Sequence, residues 1–123
     1  MKKIILILVF IASFSSCKKG SYSLHPVSQE EFAKLNTSQI QLLDVRTPEE
    51  FNSGAIEGAV SINFYDKDFV QKVNAKFDES KPLYLYCASS GRSTNASSKL
   101  IMKKRFSEIY YLKGGYNQWK KNQ

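Results

Sequence analysis

Residues 83–93 read Leu-Tyr-Leu-Tyr-Cys-Ala-Ser-Ser-Gly-Arg-Ser, and this stretch decides the fold. The first four residues form a short apolar run that predicts a buried strand leading directly into Cys87. Small residues follow, and they predict a tight loop. The segment 93–104 has the composition of a helix with Ala96, Leu100 and Ile101 on its inward face. A buried strand, a loop and a helix in this order are the repeating unit of an α/β fold.

The same alternation continues on both sides of this unit. Further strands are predicted at 41–45, 59–63 and 109–112, and the last is closed by a turn at 113–115 before a short helix that carries Trp119. Because strands and helices alternate, the chain is expected to form a largely parallel sheet covered by helices on both faces.

Two capping boxes predict where helices begin. Ser28 followed by Glu31 opens a helix through Leu35, and Thr47 followed by Glu50 opens a second one. A third helix is indicated by apolar side chains at steps of four, which are Phe69, Val73 and Phe77.

Length and composition restrict the class of protein. The chain has 123 residues, which is room for one domain, and its eight Phe, seven Tyr and one Trp exclude a disordered protein. Its two cysteines cannot form a disulfide framework, and neither lies in a CxxC pair or near a histidine cluster. No structural zinc or other metal site is therefore expected.

The N-terminal residues are typical of an export signal. A basic start is followed by an apolar run at 4–14 and by small residues before Cys17. The pattern resembles a bacterial lipoprotein signal, which implies cleavage before Cys17 and lipidation of that residue. We therefore divide the chain into a signal peptide (1–16), a tether (17–22) and a domain (23–123). A first core helix or an uncleaved anchor is the alternative.

Such a signal implies a location in the cell envelope of a bacterium, with the domain lipid-anchored to a membrane and facing the periplasm. Lys18 follows Cys17 where an aspartate would indicate inner-membrane retention in some bacteria, so the outer membrane is preferred. We expect a monomer.

The positive charge does not indicate a nucleic-acid-binding protein. The formal net charge is +7, and it falls to +5 when Lys2 and Lys3 leave with the signal peptide. The remaining bias is C-terminal and no nucleic-acid-binding motif accompanies it, so it predicts a solvated face. One of these C-terminal basic residues, Arg92, lies in the loop after Cys87 and is considered with it. The residues expected on exposed helix faces and turns are Lys99, Lys103, Lys104, Arg105, Lys113, Lys120 and Lys121.

Cys87 is the candidate nucleophile. A loop of small residues that runs into a helix leaves backbone N–H groups free to surround an anion, and the helix dipole adds to this. A thiolate there should be stabilised, with Arg92 supplying a fixed positive charge that could hold an anionic donor. The predicted cradle comprises Ala88, Ser89, Ser90, Gly91, Arg92 and Ser93. The alternative is a cysteine that is simply buried in the core. Because the lone histidine, His25, is distant in sequence, a Cys-His protease has little support.

Four segments resemble the rhodanese-like family. Residues 43–51 (Leu-Asp-Val-Arg-Thr-Pro-Glu-Glu-Phe) with 54–63 are similar to its DVR-x-x-x-E-[FY] and G-H-I-x-G-A motifs. Tyr86-Cys87 with 91–93 resembles its active-site loop, and 112–116 with Trp119 its L-x-G-G-x-x-x-W ending. The resemblance implies a five-stranded parallel sheet and a sulfurtransferase that works through a persulfide on Cys87, without another cofactor. It also implies small donors such as thiosulfate, and cyanide or thiol acceptors.

Two departures from the family pattern are visible. Ala55 replaces a histidine that is generally structural, and Ala88-Ser89-Ser90 replaces the frequent Arg-Ser-Gly, so donor specificity is expected to differ. The C-x4-R spacing from Cys87 to Arg92 is that of sulfur-transferring members, whereas related phosphatases use C-x5-R. The shorter loop therefore argues against phosphatase activity.

Asp44 and Arg46 admit two interpretations. They could line the approach to Cys87 if the second strand lies beside the fourth. The preferred interpretation is structural support, with Asp44 accepting from backbone amides and Arg46 pairing with Glu50 or Glu57.

Three functions remain open at this point. The first is transfer of sulfane sulfur through Cys87. The second is a non-catalytic binding or sulfur-carrier module of the envelope, and the third is a redox or detoxifying thiol.

Overall fold

The computed structural model describes residues 22–103 and 105–123, and within them strands and helices alternate along the chain. The strands are β1 (Ser23–Val27), β2 (Gln41–Asp44), β3 (Val60–Ser61), β4 (Leu83–Tyr86) and β5 (Glu108–Leu112). The helices are α1 (Gln29–Ala33), α2 (Pro48–Asn52), α3 (Phe69–Lys76), α4 (Gly91–Met102) and α5 (Gly115–Lys121). The proposed signal peptide and Cys17 lie outside the described residues.

All five strands form one parallel sheet in the order β1-β5-β4-β2-β3. The prediction of an α/β fold with a five-stranded parallel sheet is confirmed. β4 is the central strand, and Asp44 at the end of β2 is paired with Tyr86 at the end of β4. The loops that follow these two strands therefore leave the sheet side by side, at the edge where parallel sheets bind ligands.

Helices cover both faces, as the alternation predicts. On one face α3 and α4 pack against the sheet, and the predicted stripe of Phe69, Val73 and Phe77 is buried there. Ala96 and Leu100 of α4 are also buried, and Ile101 packs against the same cluster. On the other face, Phe32 of α1 meets Trp119 of α5 edge to face, with ring centroids 5.4 Å apart.

Both predicted helix caps are confirmed, but of the two predicted capping boxes only the one at Thr47 is complete in the described residues. Ser28 accepts a hydrogen bond from the Glu31 N–H, and Thr47 with Glu50 forms a complete capping box. The predicted helix through Leu35 is shorter than expected, because α1 ends at Ala33. α4 begins at Gly91 and ends at Met102, so both of its ends lie two residues before the predicted positions.

The sequence pattern did not predict β1, and it predicted a longer β3 than the structure contains. β1 contains Pro26, which argues against a strand in sequence, but β1 is an edge strand and an edge tolerates proline. The strand predicted at 59–63 is regular only at Val60–Ser61. Beyond it, the Ile62 and Phe64 N–H groups donate to carbonyls of residues 44 and 45, so the segment still follows β2 without a regular ladder.

In the part of the chain that the structure describes, no helix combines the length and the apolar character needed to span a bilayer. The predicted solvated face is confirmed for the C-terminal lysines between 99 and 121 and for Arg105, which are exposed; Lys104 lies outside the described residues.

Candidate active site

Cys87 directly follows β4 and begins the loop that leads into α4, as the sequence predicts. Its thiol is free, and the residue is only 1% exposed. Cys87 therefore lies at the carboxyl edge of the sheet, where parallel sheets bind ligands, and the residue is almost completely covered by its neighbours.

The start of α5 holds this loop through backbone contacts. Three hydrogen bonds join them: Tyr116 N–H to the Cys87 carbonyl at 2.8 Å, Asn117 N–H to the Ala88 carbonyl at 2.9 Å, and Gly114 N–H to Ser90 Oγ at 3.0 Å. The glycine pair that opens α5 is thus part of the site, although the sequence indicated there only a turn and the L-x-G-G-x-x-x-W ending.

Ser90 is the N-cap residue of α4, but its hydroxyl is used elsewhere. In the described residues its side chain makes no capping hydrogen bond to α4, and it accepts from Gly114 instead. The first N–H groups of a helix have no intrahelical acceptor, so those of α4 stay available to an anion. This arrangement supports the predicted anion cradle.

The other cradle residues differ in what their side chains do. Ser93 is fully buried and its hydroxyl donates to the Ser90 carbonyl at 2.9 Å, so this side chain stabilises the turn. Ser89 and Gly91 are exposed, and Ala88 is half-buried. The predicted cradle residues thus lie in the loop and the first turn of α4, and the Ser93 side chain stabilises that turn.

Arg92 is held by Glu50 in a two-point ion pair. The Nη1–Oε1 and Nη2–Oε2 distances are 2.7 Å and 2.9 Å. This pair joins the first turn of α4 to the first turn of α2, and it forms because β2 and β4 are neighbours. The expected pairing of Arg46 with Glu50 or Glu57 is therefore wrong.

The ion pair has a consequence for stability in acid. The Arg92 guanidinium, with contributions from Thr47, lowers the pKa of Glu50 from 4.5 to about 2. Because the folded-state pKa lies below the unfolded-state value, this stabilisation is complete above pH 4.5 and is lost as the pH falls towards 2. We therefore expect the free energy of unfolding to fall less in Glu50→Gln than in the wild type between pH 4.5 and 2. Urea denaturation at several pH values measures this difference. Equal losses in the two proteins would contradict the assignment.

The actual partner of Arg46 is Asp44. The Nη2–Oδ2 distance is 2.7 Å, and both side chains are buried, at 3% and 0% exposure. Asp44 also accepts from the Arg46 backbone N–H, as predicted, while Arg46 donates to the Gly54 carbonyl at 2.6 Å. Arg46 lies 4.2 Å from the centroid of the Tyr116 ring. These contacts support the structural interpretation of Asp44 and Arg46.

Tyr65 is a further residue of the site that the sequence did not indicate. Its ring centroid lies 5.9 Å from the Arg92 guanidinium carbon, and the side chain is 65% exposed. It follows β3, so it joins the site only because β3 lies beside β2.

His25 lies on β1, at the far edge of the sheet from β3, where its Nε2 contacts Ser23 Oγ at 2.8 Å and its ring stacks on Tyr110. This histidine is therefore engaged away from the loop after β4. Among residues 22–103 and 105–123, no group of three His, Cys, Asp or Glu side chains could hold a metal ion.

Comparison with known proteins identifies relatives of the whole domain. The family described as "Rhodanese-like domain" matches residues 28–122. An uncharacterized protein of Bacillus subtilis, YqhL, is 36% identical over 119 residues, which cover 93% of this chain and 90% of the relative. Thiosulfate sulfurtransferase 16 of Arabidopsis thaliana is 35% identical over 89 residues, or 65% of this chain and 73% of that protein.

Solved structures show the same fold. The crystal structure of a rhodanese-like domain protein from Staphylococcus aureus superposes with a TM-score of 0.66 at 25% identity. The match covers 77% of this chain and 90% of that one.

Proposed function

Because this chain belongs to the rhodanese-like domain family, we propose that it is a sulfurtransferase that carries sulfane sulfur on Cys87. One observation carries the proposal: the free thiol of Cys87 begins the loop whose helix, α4, leaves its N-terminal N–H groups uncapped by Ser90. A sulfur anion at that point receives hydrogen bonds and the favourable end of a helix dipole. Thiosulfate sulfurtransferases among the relatives support the same chemistry.

The reaction proceeds in two displacements without a change in net oxidation state. The Cys87 thiolate attacks the outer sulfur of thiosulfate, the S–S bond breaks, and sulfite leaves with the electron pair. Cyanide or an acceptor thiolate then attacks the outer sulfur of the persulfide and releases the Cys87 thiolate. The loop's amide groups stabilise the negative charge of the outer sulfur between these steps. No cofactor is required.

A persulfide is directly measurable. Incubating the full chain with thiosulfate should raise its intact mass by about 32 Da, the mass of one sulfur atom, and cyanide should remove the increase. Retention of the original mass after incubation would contradict the proposal.

A second candidate function is a sulfur carrier without turnover of its own. The observation that favours it is the occupied Arg92, whose ion pair with Glu50 leaves the loop without an unpaired cation. Formation of a persulfide that cyanide does not discharge would favour this carrier over the enzyme.

We further propose that the chain is lipid-anchored at Cys17 in a bacterial envelope and faces the periplasm. The support is the basic start, the apolar run at 4–14 and the small residues before Cys17. In the bacterium that makes it, we expect the membrane-extracted protein to lack residues 1–16 and to carry acyl groups. Intact mass measures both, and a full-length chain without acyl groups would contradict the anchor.

A further inference from the structure

The loop after β4 contains one cation, and that cation is already neutralised. Between Cys87 and Ser93 the sequence offers only Arg92 as a charged residue. Glu50 occupies two of its donors at 2.7 Å and 2.9 Å, in the two-point geometry that guanidinium uses for carboxylates and other planar anions. An anionic donor that binds the Arg92 guanidinium must therefore compete with the Glu50 carboxylate.

Glu50 is fixed in place from the other side as well. Its Oε1 atom accepts from the Thr47 hydroxyl at 3.1 Å and from the Thr47 N–H at 3.4 Å, which completes the capping box of α2. The Glu50 carboxylate is therefore held by Thr47, the N-cap residue of α2, as well as by Arg92. The same contacts lower its pKa to about 2, so it stays charged at neutral pH.

We propose that Glu50 determines donor specificity by charge: its ion pair with Arg92 disfavours dianionic donors and makes monoanionic organic thiosulfonates the better substrates. This inference rests on the proposed sulfurtransferase function and names its donor class. A dianion approaching the site meets a cation whose charge is cancelled, and it is repelled by the adjacent carboxylate. Both effects, the lost attraction to Arg92 and the repulsion by Glu50, are weaker for a monoanion.

Two donors of the same chemistry isolate this effect. With thiosulfate, Cys87 takes the outer sulfur and sulfite leaves. With methanethiosulfonate, Cys87 takes the outer sulfur in the same way and methanesulfinate leaves with the electron pair. In both cases one S–S bond breaks and one forms, and the donors differ chiefly by one unit of charge and a methyl group.

The test compares kcat/KM for these two donors in the full chain, with cyanide as acceptor. Glu50→Gln keeps the shape of the side chain and suits a capping box, but it frees the charge of Arg92. We expect the ratio of kcat/KM for thiosulfate to that for methanethiosulfonate to rise about tenfold, through a lower KM for thiosulfate, since a charge-assisted hydrogen bond differs from a neutral one by roughly this factor.

Glu49→Gln is the matched control, because Glu49 is the exposed neighbour of Glu50 in the same helical turn. It removes the same charge from α2 and should change the ratio less than about twofold. A ratio that is unchanged or lower in Glu50→Gln would overturn the inference, and so would an equal rise in Glu49→Gln.

Glu50→Ala provides a second variant in case Glu50→Gln does not fold. It removes the carboxylate from Arg92 altogether, so the ratio should again rise about tenfold; no rise would overturn the inference. Intact mass of the wild type separates the two levels of failure. If neither donor adds sulfur to Cys87, the sulfurtransferase function itself fails, whereas sulfur addition with an unchanged ratio refutes only the role of Glu50.

Discussion

We expect Cys87→Ser to lower thiosulfate-to-cyanide turnover by at least about a thousandfold and to abolish the persulfide mass increase. A serine hydroxyl is not ionised at neutral pH and needs a base to act as a nucleophile. The histidine of this chain, His25, lies on β1 and contacts Ser23, so it does not offer that base to the loop after β4. Turnover equal to the wild type would refute the persulfide mechanism.

A relocated thiol provides the matched control for this experiment. Ser98 lies on the exposed side of α4, and the double variant Cys87→Ser, Ser98→Cys restores the number of thiols outside the loop. We expect its turnover to remain as low as that of Cys87→Ser, because the cradle and not the thiol alone makes the sulfur reactive. Recovery of turnover in the double variant would show that the position of Cys87 is unimportant.

We expect Gly115→Ala to lower the free energy of unfolding by about 3 kcal/mol and to remove most of the activity. Gly115 has a φ of +62°, and an added Cβ would lie 2.5 Å from the Cys87 carbonyl oxygen and 2.6 Å from the Ala88 carbonyl carbon. These are backbone atoms of the site, so the helix and the loop cannot both keep their places. Urea denaturation and turnover measure the two effects.

Gly91→Ala is the corresponding control for stability. It also adds one methyl group at the start of a helix, but no atom outside its own helix and chain neighbours lies within 4 Å of the new Cβ. We expect the free energy of unfolding to change by less than about 1 kcal/mol. A loss as large as that of Gly115→Ala would show that crowding against the loop is not the cause.

The architecture around Cys87 could be predicted because its signals are local. The apolar run before the cysteine, the small residues after it and the capping box at Thr47 are each contained within a few residues. Together with strand-helix alternation they were sufficient to predict a parallel sheet and to place Cys87 at the carboxyl end of one of its strands.

The remaining features depend on strand order, which local patterns do not contain. Glu50 meets Arg92 only because β2 lies beside β4, and Tyr65 joins them because β3 lies beside β2. Before the order is known, Arg46 is an equally reasonable partner for Glu50. β1 could not be predicted for a related reason. Pro26 argues against a strand unless that strand is known to lie at the edge of the sheet.

The pairing of β1 with β5 also limits how early during synthesis the domain can fold. The first strand of the domain finds its partner near the other end of the chain, where residue 23 pairs with residue 108. The loop at Cys87 likewise awaits Tyr116 for its backbone hydrogen bond. Neither contact can form before residues 108–116 have been synthesised, so the sheet and the loop at Cys87 cannot reach their native structure until this late segment is available.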